Sequence, residues 1–249
     1  MFDLHSIIRW PLYILAFIRA ILLIVVLGLY VLLMLLFWPF GKDEIAYTYW
    51  WRKLYCKTTL IILGLRVKIH GDIPQMEGAY LTVSNHHSFI DPVVTLAFLK
   101  GMPVAKAEVS SYPLLHFGAK KTGIIYVDRA TPQSRKAART AIQDGLKEGK
   151  SVLVYPEGTI SHSPTELRPF KKGGFYAAQA AGVPVIAVAV QYHSQYAFWQ
   201  NDRGMLQQYF LQFASLYQKV DMYISSPFPT EQAEEVVSKS HTFIGQRLT

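Results

Sequence analysis

The sequence predicts an α/β protein whose largely parallel central sheet is flanked by helices and preceded by an N-terminal membrane-embedded helical segment. Three observations predict it. Beyond Arg66, short apolar runs of strand character alternate with runs of helical character, the order of elements that builds a mostly parallel sheet. Ahead of that, 22 consecutive uncharged positions separate Arg19 from Lys42. Hydrophobic residues make up 51% of the 249 and charged ones only 17%, against about 25% charged in an average soluble domain, so part of the surface is expected to meet lipid. A chain of this length holds one sizeable core with a short appendage. The expected division is 1–64 for membrane-embedded and interfacial helices and 65–249 for the α/β domain.

The first element follows from the run between Trp10 and Phe40, which is apolar at nearly every position and exceeds the roughly 20 residues that span a bilayer core as a helix. It ends in the bulky Phe37-Trp38-Pro39-Phe40 where a signal peptide would carry a small-residue cleavage site, so it is expected to be retained. Arg19 is costly at mid-bilayer, which leaves a spanning helix and a re-entrant hairpin both open. Lys42, Arg52, Lys53 and Lys57 follow the segment closely while only Arg9 precedes it; the excess of cations places everything after Lys42 on the cytoplasmic side. The stretch 43–64 mixes aromatic and basic residues and suits either an interfacial helix or an ordinary amphipathic core helix. Its Cys56 is the chain's single cysteine, which excludes an internal disulfide or a thiol pair for metal or redox work.

Strands are predicted at Val67–His70, Tyr80–Val83, Val104–Ala107, Ile124–Val127, Val152–Tyr155, Val185–Gln191 and Val220–Ile224, each a short run rich in branched residues. Helices are predicted at Pro92–Leu99, Gln133–Lys147, Gly173–Ala181 and Glu231–Arg247. The net charge of +8 comes with no zinc-finger spacing, RNP-like run or basic helix, so no nucleic-acid partner is expected; a membrane surface or an anionic substrate fits it better. In parallel sheets, sites form beyond the carboxyl ends of strands, which directs attention to three loops.

The first, Ser84-Asn85-His86-His87-Ser88-Phe89-Ile90-Asp91-Pro92, places an imidazole and a carboxylate five positions apart. Across a strand-to-helix corner Asp91 can hold one nitrogen of His86 and leave the other free to take a proton from a hydroxyl. The same residues also satisfy a plain helix start, with Ser88 and Asp91 as a capping box or Asp91 as N-cap before Pro92. No further ligands complete a metal shell around His86, His87 and Asp91, so no metal is expected. A second loop, Gly123 to Arg129, brings a guanidinium to the end of an apolar strand, suited to a phosphate or to a surface pair with Asp128. A third, Tyr155-Pro156-Glu157-Gly158-Thr159, offers a glycine for close backbone approach and a carboxylate that can accept from substrate hydroxyls, or is simply a turn.

Taken in order, NHHSFID, GIIYVDR, PEGT and the Val183-Pro184-Val185-Ile186 run resemble the four motif blocks of the glycerolipid acyltransferase family, in particular bacterial lysophosphatidate acyltransferases. The likeness covers about Arg66 to Tyr192 and extends to Lys106 and to Pro169-Phe170-Lys171-Lys172-Gly173. It implies a general base at His86 oriented by Asp91, an acceptor held by Asn85, Lys106, Arg129, Glu157, Gly158 and Thr159, no cofactor beyond acyl-CoA or acyl-carrier protein as co-substrate, and a lysophospholipid acceptor drawn from membrane lipid on the cytoplasmic face of a bacterial inner membrane. Transfer to the sn-2 hydroxyl of lysophosphatidate is the expected reaction. Another lysolipid acceptor, such as an amino-acid lipid, or a non-catalytic lipid-binding role are the alternatives. Two positions depart from the pattern: Ile160 stands where the family usually has arginine, and Ala187 where it usually has proline. The first removes a phosphate ligand, for which Arg168, Lys171 and Lys172 are the nearby substitutes.

Overall fold

The computed structural model describes residues 4–40, 43–106, 123–127, 131–200 and 204–248. A long helix α1 (Leu4–Phe37) and a single 3-10 turn (Trp38–Phe40) lead to α2 (Glu44–Leu63), then β1 (Leu65–His70), β2 (Leu81–Ser84), α3 (Asp91–Leu96), β3 (Met102–Lys106), β4 (Ile125–Val127), α4 (Pro132–Lys147), β5 (Val152–Val154), α5 (Gly173–Ala181), β6 (Val185–Tyr192), α6 (Met205–Phe213), β7 (Gln218–Ile224) and α7 (Ala233–Gly245). Seven strands among the described residues form one sheet in the order β1-β7-β6-β2-β5-β3-β4. Every pairing is parallel except β6 with β7.

The central strands are apolar throughout because both their faces are covered. All of β2, β5 and β6 is buried, and alternate residues feed two cores. Ile186, Val188 and Val190 of β6 join Leu60 and Leu63 of α2, Val94 of α3 and Phe213 of α6, whereas Val185, Ala187 and Ala189 join Ile142 and Leu146 of α4, Phe175 of α5 and Ile244 of α7. The result is a three-layer sandwich with α1, α2, α3 and α6 on one side and α4, α5 and α7 on the other. Ala187 sits in the middle of β6, where its N–H donates to Ser225 Oγ at 2.9 Å and its carbonyl accepts from Ser225 N. Proline would have no N–H to give there.

Helix α1 is long and apolar enough to cross a membrane, and its outward face carries exposed Trp10, Ile14, Phe17, Ile21, Val25, Leu29 and Leu32. Arg19 does not lie on that face. Its guanidinium donates to the carbonyls of Phe213, Ser215 and Leu216 at 2.9, 2.5 and 2.8 Å, the orphan acceptors at the C-terminal end of α6, where a cation is favoured. This fork resolves the expense of a charge within an apolar helix by binding α1 to the α/β domain. Helix α2 begins at Asp43, which accepts from Ile45 N and Ala46 N, and ends at Gly64. A side chain at Gly64, at φ +71°, would collide with Leu216 O and with the Arg19 guanidinium, so the tight passage into β1 requires glycine. Trp51, Cys56, Leu60 and Leu63 face the core while Trp50, Lys53, Leu54, Lys57 and Ile61 are exposed, so α2 has both a core face and an apolar, basic outer face.

Arg19→Leu is therefore expected to do more than remove a charge. It strips the α6 terminus of three charge-assisted donors, each worth about 1.5–3 kcal/mol and not additive. The unfolding temperature in detergent should fall, and limited proteolysis should cut between α2 and β1 sooner than in the parent chain. Unchanged melting and cleavage would show that the fork does not hold α1 in place.

Candidate active site

Strand β2 runs into the sheet centre between β5 and β6 and delivers Asn85, His86 and His87 at its carboxyl end. Asn85 is fully buried. Its Nδ2 donates to Val190 O at 2.9 Å and its Oδ1 accepts from Val190 N at 2.8 Å, so the amide continues the β2–β6 ladder past the last paired residue. Asn85 was expected at the acceptor; both ends of its amide are engaged by the Val190 backbone and the side chain is closed to solvent.

His86 and Asp91 do meet. Nδ1 of His86 lies 2.9 Å from Asp91 Oδ2, with the ring 18% exposed and the carboxylate fully buried. Asp91 Oδ2 also accepts from His87 N at 2.8 Å and Ser88 N at 2.9 Å, and Oδ1 accepts from Tyr192 Oη at 2.6 Å. With these donors aimed at it, the carboxylate acts as an acceptor, so Nδ1 carries the imidazole proton and Nε2 keeps its lone pair. The helix-start reading is partly right and displaced by one residue. Ile90 occupies the N-cap without a side-chain cap bond, Asp91 is the first helical residue, and its carboxylate reaches back to the turn.

The ring of His86 stacks on Tyr155, centroids 4.1 Å apart at 21°. Its main chain is clamped from the third loop: His86 N donates to Glu157 Oε1 at 2.9 Å, and His86 O accepts from Ser161 N at 2.6 Å. The second oxygen of Glu157 accepts from Arg168 N at 3.1 Å. Burial pushes the Glu157 carboxyl above the usual range, against the opposing pull of these N–H donors. Glu157 thus braces the His86 loop, a role its position in a glycine-containing turn did not announce. Gly158 follows at φ +77°, with the Lys171 side chain lying over it so closely that any Cβ would collide. Thr159 is exposed and Ile160 half-buried. Of the substitute cations, Lys172 is turned away into an ion pair with Glu234 at 2.5 Å, while Lys171 lies beside Gly158.

Lys106 ends β3 at the same carboxyl edge. Arg129 lies outside the described residues, two positions beyond the end of β4 at Val127. His87, next to the base in sequence, is fully buried, and that burial lowers its pKa; its N–H goes to Asp91 and its carbonyl accepts from Trp199 N at 3.0 Å. Among the described residues no group of His, Cys, Asp or Glu side chains is arranged to hold a metal ion. Sequence reasoning missed Tyr155, Tyr192 and Ser161, which act through a stacked ring, a buried hydroxyl and a backbone N–H. The one available signal was a tyrosine ending or directly following two buried, mostly aliphatic strands.

Residues 66–191 match the family model described as Acyltransferase. Curated relatives include a 1-acyl-sn-glycerol-3-phosphate acyltransferase of Neisseria gonorrhoeae, 28% identical over 56% of this chain and 54% of its own length. A lyso-ornithine lipid O-acyltransferase of Pseudomonas aeruginosa is 31% identical over 58% and 53% respectively. The chain spans about half the length of the curated relatives it matches. Its fold is that of the 1-acyl-sn-glycerophosphate (LPA) acyltransferase PlsC from Thermotoga maritima, with a TM-score of 0.76 at 23% identity, covering 98% of this chain and 95% of that one.

Proposed function

Because the chain belongs to the acyltransferase family, we propose that it moves a fatty acyl group from a thioester donor onto the sn-2 hydroxyl of lysophosphatidate. The observation that carries this reading is the buried Asp91 carboxylate 2.9 Å from His86 Nδ1, which leaves Nε2 as a base at a strand end facing outward. In the proposed reaction Nε2 takes the hydroxyl proton as the oxygen attacks the thioester carbonyl. The tetrahedral intermediate collapses with cleavage of the C–S bond, and the leaving sulfur takes the proton from His86 Nε2, departing as the free thiol and restoring the base. No serine or cysteine nucleophile enters and no cofactor is consumed. The acyl donor is acyl-CoA or acyl-carrier protein.

Recognition of the acceptor phosphate falls to Lys106, Arg129 and Lys171, with the Gly158-Thr159 backbone beside the glycerol. The exposed apolar face of α1 and the outer face of α2, where Trp50 and Leu54 stand among Lys53 and Lys57, support a membrane-bound enzyme working at the cytoplasmic surface, where the acceptor resides.

One observation favours a second acceptor. Ile160 puts an apolar side chain where the family pattern has a guanidinium, and lyso-ornithine lipid O-acyltransferases stand among the relatives. Thiol release from acyl-CoA, measured with lysophosphatidate and with lyso-ornithine lipid, separates the two. Turnover is expected with lysophosphatidate, and Ile160→Arg should preserve or raise it by adding a bidentate phosphate ligand. Activity confined to lyso-ornithine lipid, and lost in Ile160→Arg, would leave the reaction type standing and replace the acceptor.

A further inference from the structure

From the buried hydroxyl that Tyr192 presents to Asp91, we infer that Tyr192 is a positioning residue for acyl transfer: it fixes the Asp91 carboxylate so that Oδ2 addresses His86 while Oδ1 is held from behind. The inference rests on His86 acting as the base. Asp91 is a flat, two-ended acceptor buried at 0% exposure, and its two ends are served differently. Oδ2 receives His86 Nδ1, His87 N and Ser88 N. Oδ1 receives the Tyr192 hydroxyl at 2.6 Å, the short distance of an O–H donor to a charged oxygen.

Tyr192 itself is almost fully buried. It is the last residue of β6, four positions beyond the last β2 pairing at Val188 and paired with Val220 of β7, and its ring meets Phe198 edge-on at 6.5 Å. Strand β6 is thus tied to the catalytic loop twice, by Val190 to Asn85 and by Tyr192 to Asp91. The carboxylate plane is set by a rigid strand rather than by the mobile torsion of its own side chain. The imidazole plane is thereby fixed, so Nε2 points at the same place in every cycle.

Tyr192→Phe keeps the ring and removes the hydroxyl, with its bond to Asp91 and its contact with the Ser88 side chain. The expected result is a fall in kcat of about ten- to a hundredfold, the range of one charge-assisted hydrogen bond, with the donor and acceptor KM nearly unchanged. A purely structural tyrosine would lower the active fraction or the unfolding temperature and leave kcat per folded enzyme in place; that result, or a wild-type rate, overturns the inference.

With rates normalised to folded enzyme, a double-mutant cycle gives a second test. In an Asp91→Asn background Tyr192→Phe should cost less than twofold further, since the group it positions is gone; fully multiplied losses would overturn the coupling. His86→Ala is the separate control. Retained activity there defeats the base assignment, whereas its loss together with a silent Tyr192→Phe defeats only the positioning role.

Discussion

His86→Ala should lower acyl transfer by about 10² to 10⁴, the contribution of a positioned general base, with the fold intact. The argument for an intact fold is local. The His86 side chain is partly exposed and makes one hydrogen bond and one ring contact, while the structural work of that residue is done by its N–H and carbonyl, which alanine retains. Asp91→Asn should approach the same loss. An asparagine has one acceptor oxygen for donors that converge on two, and its amide would face either the Tyr192 hydroxyl or the His86 Nδ1 proton. Thiol release from acyl-CoA, alongside circular dichroism and melting, checks both variants. Turnover of His86→Ala within a few-fold of the parent enzyme would sink the mechanism. His87→Ala should behave in the opposite way, costing stability because the ring is fully buried and sparing the chemistry because it does not touch the acceptor side of the pair.

The sheet was legible because its central strands β2, β5 and β6 are buried on both faces and read as nearly unbroken apolar runs. Seven runs were expected and seven strands are seen among the described residues, and α5 runs from Gly173 to Ala181 as expected. Helix α6 was not foreseen. Its buried face carries Gln208 and Gln212 beside Phe213, with Gln208 Nε2 bonded to the carbonyls of Tyr196 and Phe198, while Met205 and Leu206 are exposed. Polar residues at two core positions and apolar ones outside blur the periodicity that reveals a helix. The antiparallel β6–β7 pairing likewise leaves no trace in residues that are apolar in either direction.

At the site, the meeting of His86 and Asp91 could be read from chemistry and spacing, since a corner five residues long permits little else once both must be buried near a strand end. What could not be read was the use of each oxygen. Asn85, Glu157 and Tyr192 are spent on backbone or on Asp91, contacts that join segments 71 to 105 positions apart. The expected placement of Arg129 against a phosphate falls outside the described residues.

Replacing Glu157 by glutamine should lower kcat by about ten- to a hundredfold while leaving the acceptor KM within about twofold, and the reason lies in which atoms the carboxylate serves. Oε1 holds His86 N and Oε2 holds Arg168 N, so one side chain fixes the base and the loop leading to Lys171. Glutamine can accept from one of these and must turn its NH2 against the other, leaving a buried N–H unmet at a cost of about 1–3 kcal/mol. Unfolding should report that loss against a pH-dependent background. Burial raises the Glu157 pKa from an ordinary value of 4.5, so the folded chain binds this proton more tightly than the unfolded one. The stability attached to it is full below about 4.5 and declines as pH rises through the raised folded value. Glutamine has no such proton, so the melting temperature of the parent should fall relative to that of the variant as pH rises above about 4.5. The competing role, in which Glu157 accepts from a substrate hydroxyl, makes the opposite kinetic split: acceptor KM would rise with kcat and melting nearly unchanged. Steady-state kinetics with varied acceptor decides between them, and a pure KM effect would return Glu157 to the acceptor and leave the His86 backbone held by Ser161 alone.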